Sequence, residues 1–196
     1  MERHEEQRLI EDAATGCKDS AAALIRAHQR SLYAYLLRLS GKPDLAEDIA
    51  QEAFVRVLGN LHRFDNRFRF STWLFTIARR LLVNAGQKMR PAYDTDAISG
   101  TPARPSDPGA PIADAESGLR ARDELQRALL RVSAEQREVL VLFHQLDWPI
   151  ALIAEQLQMP EGTVKSHLHR GRRRLRDLLE SSTSIDPSLT GRRETR

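Results

Sequence analysis

The sequence predicts an all-α protein made of two small helical domains joined by a flexible linker. Three observations point there. Apolar residues recur three and four positions apart over most of the chain, the period of an amphipathic helix. Alternating β-branched runs bounded by turn residues, the signature of strands, are absent. Between two periodic blocks, residues 89–118 carry Pro91, Pro102, Pro105, Pro108 and Pro111, five of the nine prolines, with Gly, Ser, Ala and Asp filling the gaps. So long a stretch without periodicity is uncommon inside a compact domain and reads as a linker, mildly acidic with two arginines against five acids. The boundaries are 1–88 for the first domain, 89–118 for the linker, 119–180 for the second domain and 181–196 for a polar, disordered tail.

A short helix is expected over Glu5 to Ala14. Asp19 is placed to cap the next, which carries Leu24, Ile25, Leu32, Leu36 and Leu39 at helical spacing and is broken by Gly41-Lys-Pro43. Asp44 and Glu47 have the spacing of a capping box ahead of Leu45, Ile49, Phe54, Val55 and Leu58. After a loop from His62 to Phe70, Ser71 is placed to cap a helix from Thr72 to about Gln87. In the second block a helix from about Leu119 stops near Val132, and Ser133 with Gln136 forms another capping-box signal before the apolar run Val139 to Phe143. Pro149 suits the first turn of a short helix through Leu157. A tight turn, Met159-Pro-Glu-Gly162, leads to a last helix from Thr163 to about Leu179.

Composition narrows the function. With 41% hydrophobic and 29% charged residues the chain can bury a core and still present charged helices. Its net charge is only +3, so a nucleic-acid footprint has to come from local clustering. The single cysteine, Cys17, excludes an internal disulfide and a cysteine-pair zinc site. No signal-peptide-like or membrane-spanning run is present, and the protein reads as cytoplasmic.

The clearest clustering is at the end of the second block. Two short helices joined by a tight turn, the second strongly basic, have the pattern of a helix-turn-helix. From Thr163 to Arg176 there are six Lys or Arg and no acid, whereas a merely solvated face usually interleaves Glu. Val164, Leu168, Leu175 and Leu178 share one face; Lys165, Ser166, His169, Arg170, Arg172 and Arg173 lie largely off it, where Arg and Lys can fork onto guanine or hold phosphate. His167 and His169 point about 200° apart on a helix and do not make a zinc site.

In the first block, Phe64, Phe68 and Phe70 interleave with Arg63, Arg67 and Arg69, and Trp73, Phe75, Arg79 and Arg80 follow. Aromatics among arginines suit single-stranded DNA, with bases stacked on rings and guanidinium groups on the backbone. Phe64, Phe70, Trp73 and Phe75 fit a helical core equally well on spacing alone. Asp44, Glu47 and Asp48 are explained by a helix N-terminus; Gln51 and Glu52 lie further in and suggest a partner surface.

Three motifs resemble one family. Asp44-Leu-Ala-Glu-Asp-Ile-Ala-Gln-Glu-Ala-Phe-Val-Arg-Val is similar to the conserved-region-two helix of the extracytoplasmic-function (ECF) sigma factors of the sigma-70 family. Phe70-Ser-Thr-Trp-Leu-Phe-Thr-Ile-Ala-Arg-Arg resembles the promoter-melting segment of that region. Val132-Ser-Ala-Glu-Gln-Arg-Glu-Val-Leu-Val-Leu, Ile153-Ala-Glu and Gly162-Thr-Val-Lys-Ser-His-Leu-His-Arg-Gly-Arg-Arg-Arg-Leu resemble region four. The resemblance spans about residues 20–88 and 119–179, in the family's order. It implies an adaptor that brings RNA polymerase to promoters and helps melt them. Asp48, Gln51 and Glu52 would face the clamp helices of the largest subunit, and region four the flap of the second-largest. Phe64, Asp65, Asn66, Arg67, Phe68 and Arg69 would form the loop that captures a flipped base of the −10 element, with Trp73, Arg79, Arg80 and Asn84 on the adjoining helix. Thr163, Lys165, Ser166, His169 and Arg170 would read the −35 element, with Arg172 and Arg173 on phosphates. An anti-sigma protein is the further partner implied, and no cofactor, metal or catalytic residue is, since core polymerase supplies the chemistry.

Three departures from the family pattern stand out. Pro149 replaces a capping side chain, so that cap is lost or taken over by Asp147. Gly171 replaces a usual alanine, at a helix cost of about 1 kcal/mol. Asp65-Asn-Arg-Phe-Arg differs from the commoner loop sequence, which bears on the base captured. Two other functions fit parts of the chain. A helix-turn-helix regulator explains Thr163 to Leu179 but not the Asp44 to Arg80 block. An enzyme using Cys17, beside Lys18, lacks a recognisable base or orienting acid.

Overall fold

Every described element is helical. The structure, a computed structural model, describes residues 3–88 and 112–183; the linker from 89 to 111 and the tail from 184 lie outside the described residues. The chain divides into two units, Met1–Arg104 and Pro105–Arg196.

The first unit contains α1 (Arg3–Ala14), α2 (Lys18–Ser40), α3 (Pro43–Gly59), a 3-10 turn (Leu61–Arg63) and α4 (Phe70–Lys88). Its helix starts depart from the sequence expectations. Asp19 lies in the first turn of α2 and Cys17 takes the cap position. No capping box forms at Asp44, because Pro43 begins α3 and Lys42 occupies its cap without a side-chain bond. A proline needs no N–H partner at a helix start, which removes part of the reason for a cap. Ser71 is likewise not a cap: α4 already includes Phe70, and the Arg69 carbonyl accepts the Trp73 N–H at 3.3 Å. Gly41 ends α2 as expected, in the left-handed region at φ 69°, donating its N–H to the Leu37 carbonyl at 2.8 Å.

The core of this unit comes from Leu24, Leu32, Tyr35 and Leu36 of α2, Phe54 and Val57 of α3, and Phe70, Leu74, Phe75 and Leu81 of α4. Ala46, Ala50 and Ala53 are buried one or two turns apart on α3, and such small side chains let neighbouring helices approach closely. Tyr35 meets Phe75 edge to face, with centroids 5.2 Å apart. Val55, expected among the apolar interior, is instead 67% exposed, on the side of α3 opposite this core.

The second unit contains α5 (Ile112–Leu130), α6 (Ala134–His144), α7 (Ile150–Leu157) and α8 (Glu161–Thr183). Residues 112–118, assigned to the linker from sequence, are helical: Gly118 resembles a boundary, yet one glycine costs a helix only about 1 kcal/mol. Ser133 caps α6 as expected, accepting the Gln136 N–H at 3.3 Å. Pro149 sits at the cap of α7 rather than inside its first turn and makes no side-chain bond, so the cap is lost there. Gln158 closes α7 in the left-handed region at φ 53°, and α8 begins at Glu161, two residues before the expected Thr163. It runs on to Thr183, taking in the first three residues read as tail. Leu129, Val132, Val139, Leu140, Leu142, Trp148, Ile153, Val164, Leu168 and Leu178 are buried among these helices. Among the described residues no helix is long and apolar enough to cross a membrane.

Candidate nucleic-acid interface

In the second unit α7, the turn at Gln158 to Pro160 and α8 form a helix-turn-helix. The Thr163 and Val164 amides bond back to the Pro160 carbonyl at 2.9 and 3.1 Å, fixing the start of α8. Burial of Val164, Leu168 and Leu178 holds one face inward, which leaves Lys165, Ser166, His169, Arg170 and Arg173 exposed, with Thr163 half-buried at their edge. Arg174 and Arg176 are exposed as well. Lys165 lies 3.8 Å from Glu161 in an exposed pair that contributes little to stability. Arg172 differs: its Nε–H donates to His144 Nε2 of α6 at 3.0 Å.

Gly171 changes its meaning here. A Cβ at that position would lie 2.9 Å from Leu140 Cδ1 and 3.2 Å from Leu140 Cγ. The glycine lets α8 lie against α6, so its propensity cost sits beside a packing requirement.

In the first unit the structure separates the aromatic residues by role. Phe70 and Phe75 are core, at 1% and 3% exposure. Phe64 and Trp73 are half-buried against each other and Phe70, with Phe64 centroids 5.3 Å from Trp73 and 5.9 Å from Phe70. Phe68 alone of the three loop phenylalanines is exposed, at 57%. The loop between is held by its own groups. Arg67 donates from Nη2 to Asp65 Oδ2 at 2.6 Å and from its backbone N–H to Asp65 Oδ1 at 3.0 Å. That pairing holds the Asp65 carboxyl below its usual range. Arg3 of α1 donates to the carbonyls of Asn66 and Arg67 at 3.3 and 3.4 Å. The recess between α1 and the loop, lined by Glu6, Gln7, Phe64, Asn66 and Phe68 among others, encloses about 10 Å³, room for a water and not for a base.

A larger groove of about 350 Å³ lies on α3 and α4. It unites Trp73, Arg80 and Asn84 with Arg56, Asn60 and Arg63, over an apolar floor of Ile77 and Leu81. No acid lines it. Arg56 also pairs with Glu52, from Nε to Oε1 at 2.6 Å. Arg79 is half-buried and stands outside this groove, and Arg69 is exposed on the loop. Arg56 and Asn60 escaped the sequence reading because their nearness to α4 is a tertiary fact, and Arg3 because it lies more than sixty residues from the carbonyls it holds.

The remaining face of α3 carries Asp44, Asp48, Gln51, Glu52 and Val55, all exposed. Gln51 donates to Glu47 at 3.4 Å. Val55 is the apolar member of that stripe, 67% exposed. Cys17 is exposed, and its thiol is pushed down chiefly by the hydrogen bond from the Ser20 hydroxyl at 3.4 Å rather than by Lys18.

A helical unit with a basic and aromatic groove, followed along the chain by a second with a helix-turn-helix, defines a nucleic-acid-binding protein of the transcription class. Sigma-70 region 2 matches residues 24–89, and sigma-70 region 4 matches 122–175. The chain is 34% identical over 179 residues to the ECF RNA polymerase sigma factor SigW of Bacillus subtilis, covering 88% of this chain and 96% of that one. It is 34% identical over 173 residues to the ECF RNA polymerase sigma factor SigL of Mycobacterium tuberculosis, covering 85% and 94%. Among solved structures, the sigma factor RpoE from Bartonella quintana, in complex with the anti-sigma factor NepR, aligns with a TM-score of 0.64 at 25% identity, over 81% of this chain and 96% of that one. CnrH, solved with the cytosolic domain of CnrY, shares the fold with a TM-score of 0.63. The chain belongs to the ECF RNA polymerase sigma factors.

Proposed function

We propose that this chain acts in the cytoplasm as a non-catalytic adaptor that directs core RNA polymerase to promoters and opens them. In this reading residues up to 88 bind core and the −10 element, 89–111 tether the two units, and α5 to α8 read the −35 element. The observation that carries it is the groove that gathers Arg56, Asn60, Arg63, Trp73, Arg80 and Asn84, in a unit that also exposes Phe68.

Energies explain why both features are needed. Each duplex step costs on average about 1.4 kcal/mol to unstack, and each base stacked on an aromatic ring returns about 1–3 kcal/mol. Phe68 alone therefore offsets one or two steps. Opening several requires the groove, where Arg80, Arg63 and Arg56 neutralise the strand and Trp73 and Asn84 meet its bases. Asn66 and Arg69 flank Phe68 on the loop, while Asp65 and Arg67 hold the loop's shape for it; Arg79, on α4, meets the −10 element from outside the groove. Phe64 acts behind the loop, against Trp73. The 10 Å³ recess implies that the loop shifts away from α1 if a flipped base enters there.

On α3, Asp48, Gln51, Glu52 and Val55 form the surface for the polymerase clamp, and α5 to α8 also meet the flap. On α8, Lys165, Ser166, His169 and Arg170 face the bases of the −35 element beside Thr163, and Arg172 and Arg173 its phosphates. An inhibitory partner of the anti-sigma class, as in the RpoE–NepR complex, is the expected regulator.

Run-off transcription from fragmented genomic DNA, with core polymerase alone and with this protein, tests the proposal. New discrete transcripts sharing two upstream elements support it. Binding of a duplex site without core, together with no effect on core, would transfer the protein to ordinary helix-turn-helix regulators.

A further inference from the structure

Arg172 leaves the basic face of α8 and turns back to the end of α6. Its Nε–H donates to His144 Nε2 at 3.0 Å, and its guanidinium carbon lies 5.2 Å from the centroid of the Phe143 ring. Phe143 and His144 are the last residues of α6, and their rings meet edge to face at 5.0 Å. A guanidinium has five N–H donors. His144 takes the one on Nε, which leaves those of the two terminal nitrogens for an anion, on a side chain that is exposed.

We infer that His144 and Phe143 are positioning residues that hold Arg172 with its terminal nitrogens presented to a phosphate of the −35 element. The inference rests on the reading of Arg172 as a phosphate contact. A free arginine loses rotamer entropy when it is fixed on DNA; one ordered beforehand by a ring beneath it and an acceptor beside it has lost it already.

The arrangement needs a neutral imidazole with its proton on Nδ1, because only then does Nε2 carry the lone pair that accepts. Partial burial first, and the Arg172 charge second, hold His144 below its ordinary range, against the opposing Asp147. Arg172 from α8 and Asp147 from the turn after α6 are the charged groups that act on it. Protonation sets N–H against N–H and releases Arg172. DNA affinity then falls on acidification through this pair.

The test measures binding of the full chain to a labelled duplex of arbitrary sequence. Arg172→Ala is expected to lower the slope of log affinity against log salt by about 0.9. His144→Leu is expected to weaken binding roughly two- to tenfold when Arg172 is present, and not when it is already alanine. His144→Gln, whose amide oxygen accepts without titrating, restores affinity and loses the fall that the wild type shows as pH drops below about 6.5. If His144→Leu weakens binding equally in both backgrounds, or folded His144→Gln does not rescue, the positioning role is wrong while the phosphate reading stands. An unchanged salt slope in Arg172→Ala overturns the phosphate reading and the inference with it.

Discussion

At position 171 helix propensity and packing pull in opposite directions. Glycine in a helix interior costs about 1 kcal/mol relative to alanine. Any Cβ there must displace Leu140, which is 3% exposed and has little room to move. Overpacking of this kind costs about 1–3 kcal/mol. Gly171→Ala is therefore expected to lose about 0–2 kcal/mol, the overpacking cost less the propensity gain. Gly171→Leu, with the same propensity gain and far more volume, is expected to lose about 1–3 kcal/mol. Urea unfolding of the two variants checks this, and a fully stable leucine variant would mean that α8 does not lie so close to α6. His144 gives a second prediction at this scale. Its imidazole is held low in the folded chain, chiefly by burial, so the unfolded chain binds the proton more readily. Its stabilising contribution is thus complete above the unfolded imidazole value of about 6.5 and declines as pH falls through it. Melting temperatures recorded down to about pH 5.5 are expected to fall more for the wild type than for His144→Gln; parallel profiles would contradict the shift.

Elements were legible where their signal is local. The period of apolar residues along α2, α3, α4 and α8 is a property of each segment alone, and so is the Ser133 cap of α6. Helix starts were misread where the backbone needs no side-chain cap: Pro43 makes one unnecessary ahead of Asp44, and Phe70 continues α4 past Ser71. The sites divide in the same way. The basic face of α8 could be read from one helix, whereas the groove joins Arg56 of α3 and Asn60 just after it to Trp73 and Arg80 of α4 and needs the packed fold. Val55 was misassigned because an apolar residue in a helix reads as core until its neighbours show the core on the other side. That side of α3 carries this scale's prediction. Val55→Glu is expected to weaken binding of core polymerase by at least about fivefold, as for the loss of an interface anchor. Its melting temperature is expected to stay that of the wild type, because the side chain is 67% exposed. Anisotropy titration with core measures the first and calorimetry the second; unchanged core affinity would remove Val55 from the partner surface.

For the molecule as a whole, the question is what joins the two units. The sequence places a tether at 89–118, and α5 takes the last seven of those residues, 112–118, into a helix. A Pro-rich tether contributes through effective concentration: once one unit is bound, the other searches a volume set by tether length. Beyond its optimum, that concentration falls roughly as the −3/2 power of length, so doubling the tether costs about threefold. A Gly/Ser insertion of equal length after Arg104, where the two units divide, is therefore expected to lower transcription from a two-element promoter about threefold. The loss should vanish on a promoter whose −35 element has been scrambled, because the second unit then holds nothing. Transcription abolished outright, with both units still folded, would mean that residues 89–111 make a contact of their own with polymerase or DNA. No loss on the intact promoter would mean that the two units do not act on one DNA molecule together. Run-off assays on the paired promoters separate these outcomes, because only a tether acting by length alone gives a modest loss that depends on the −35 element.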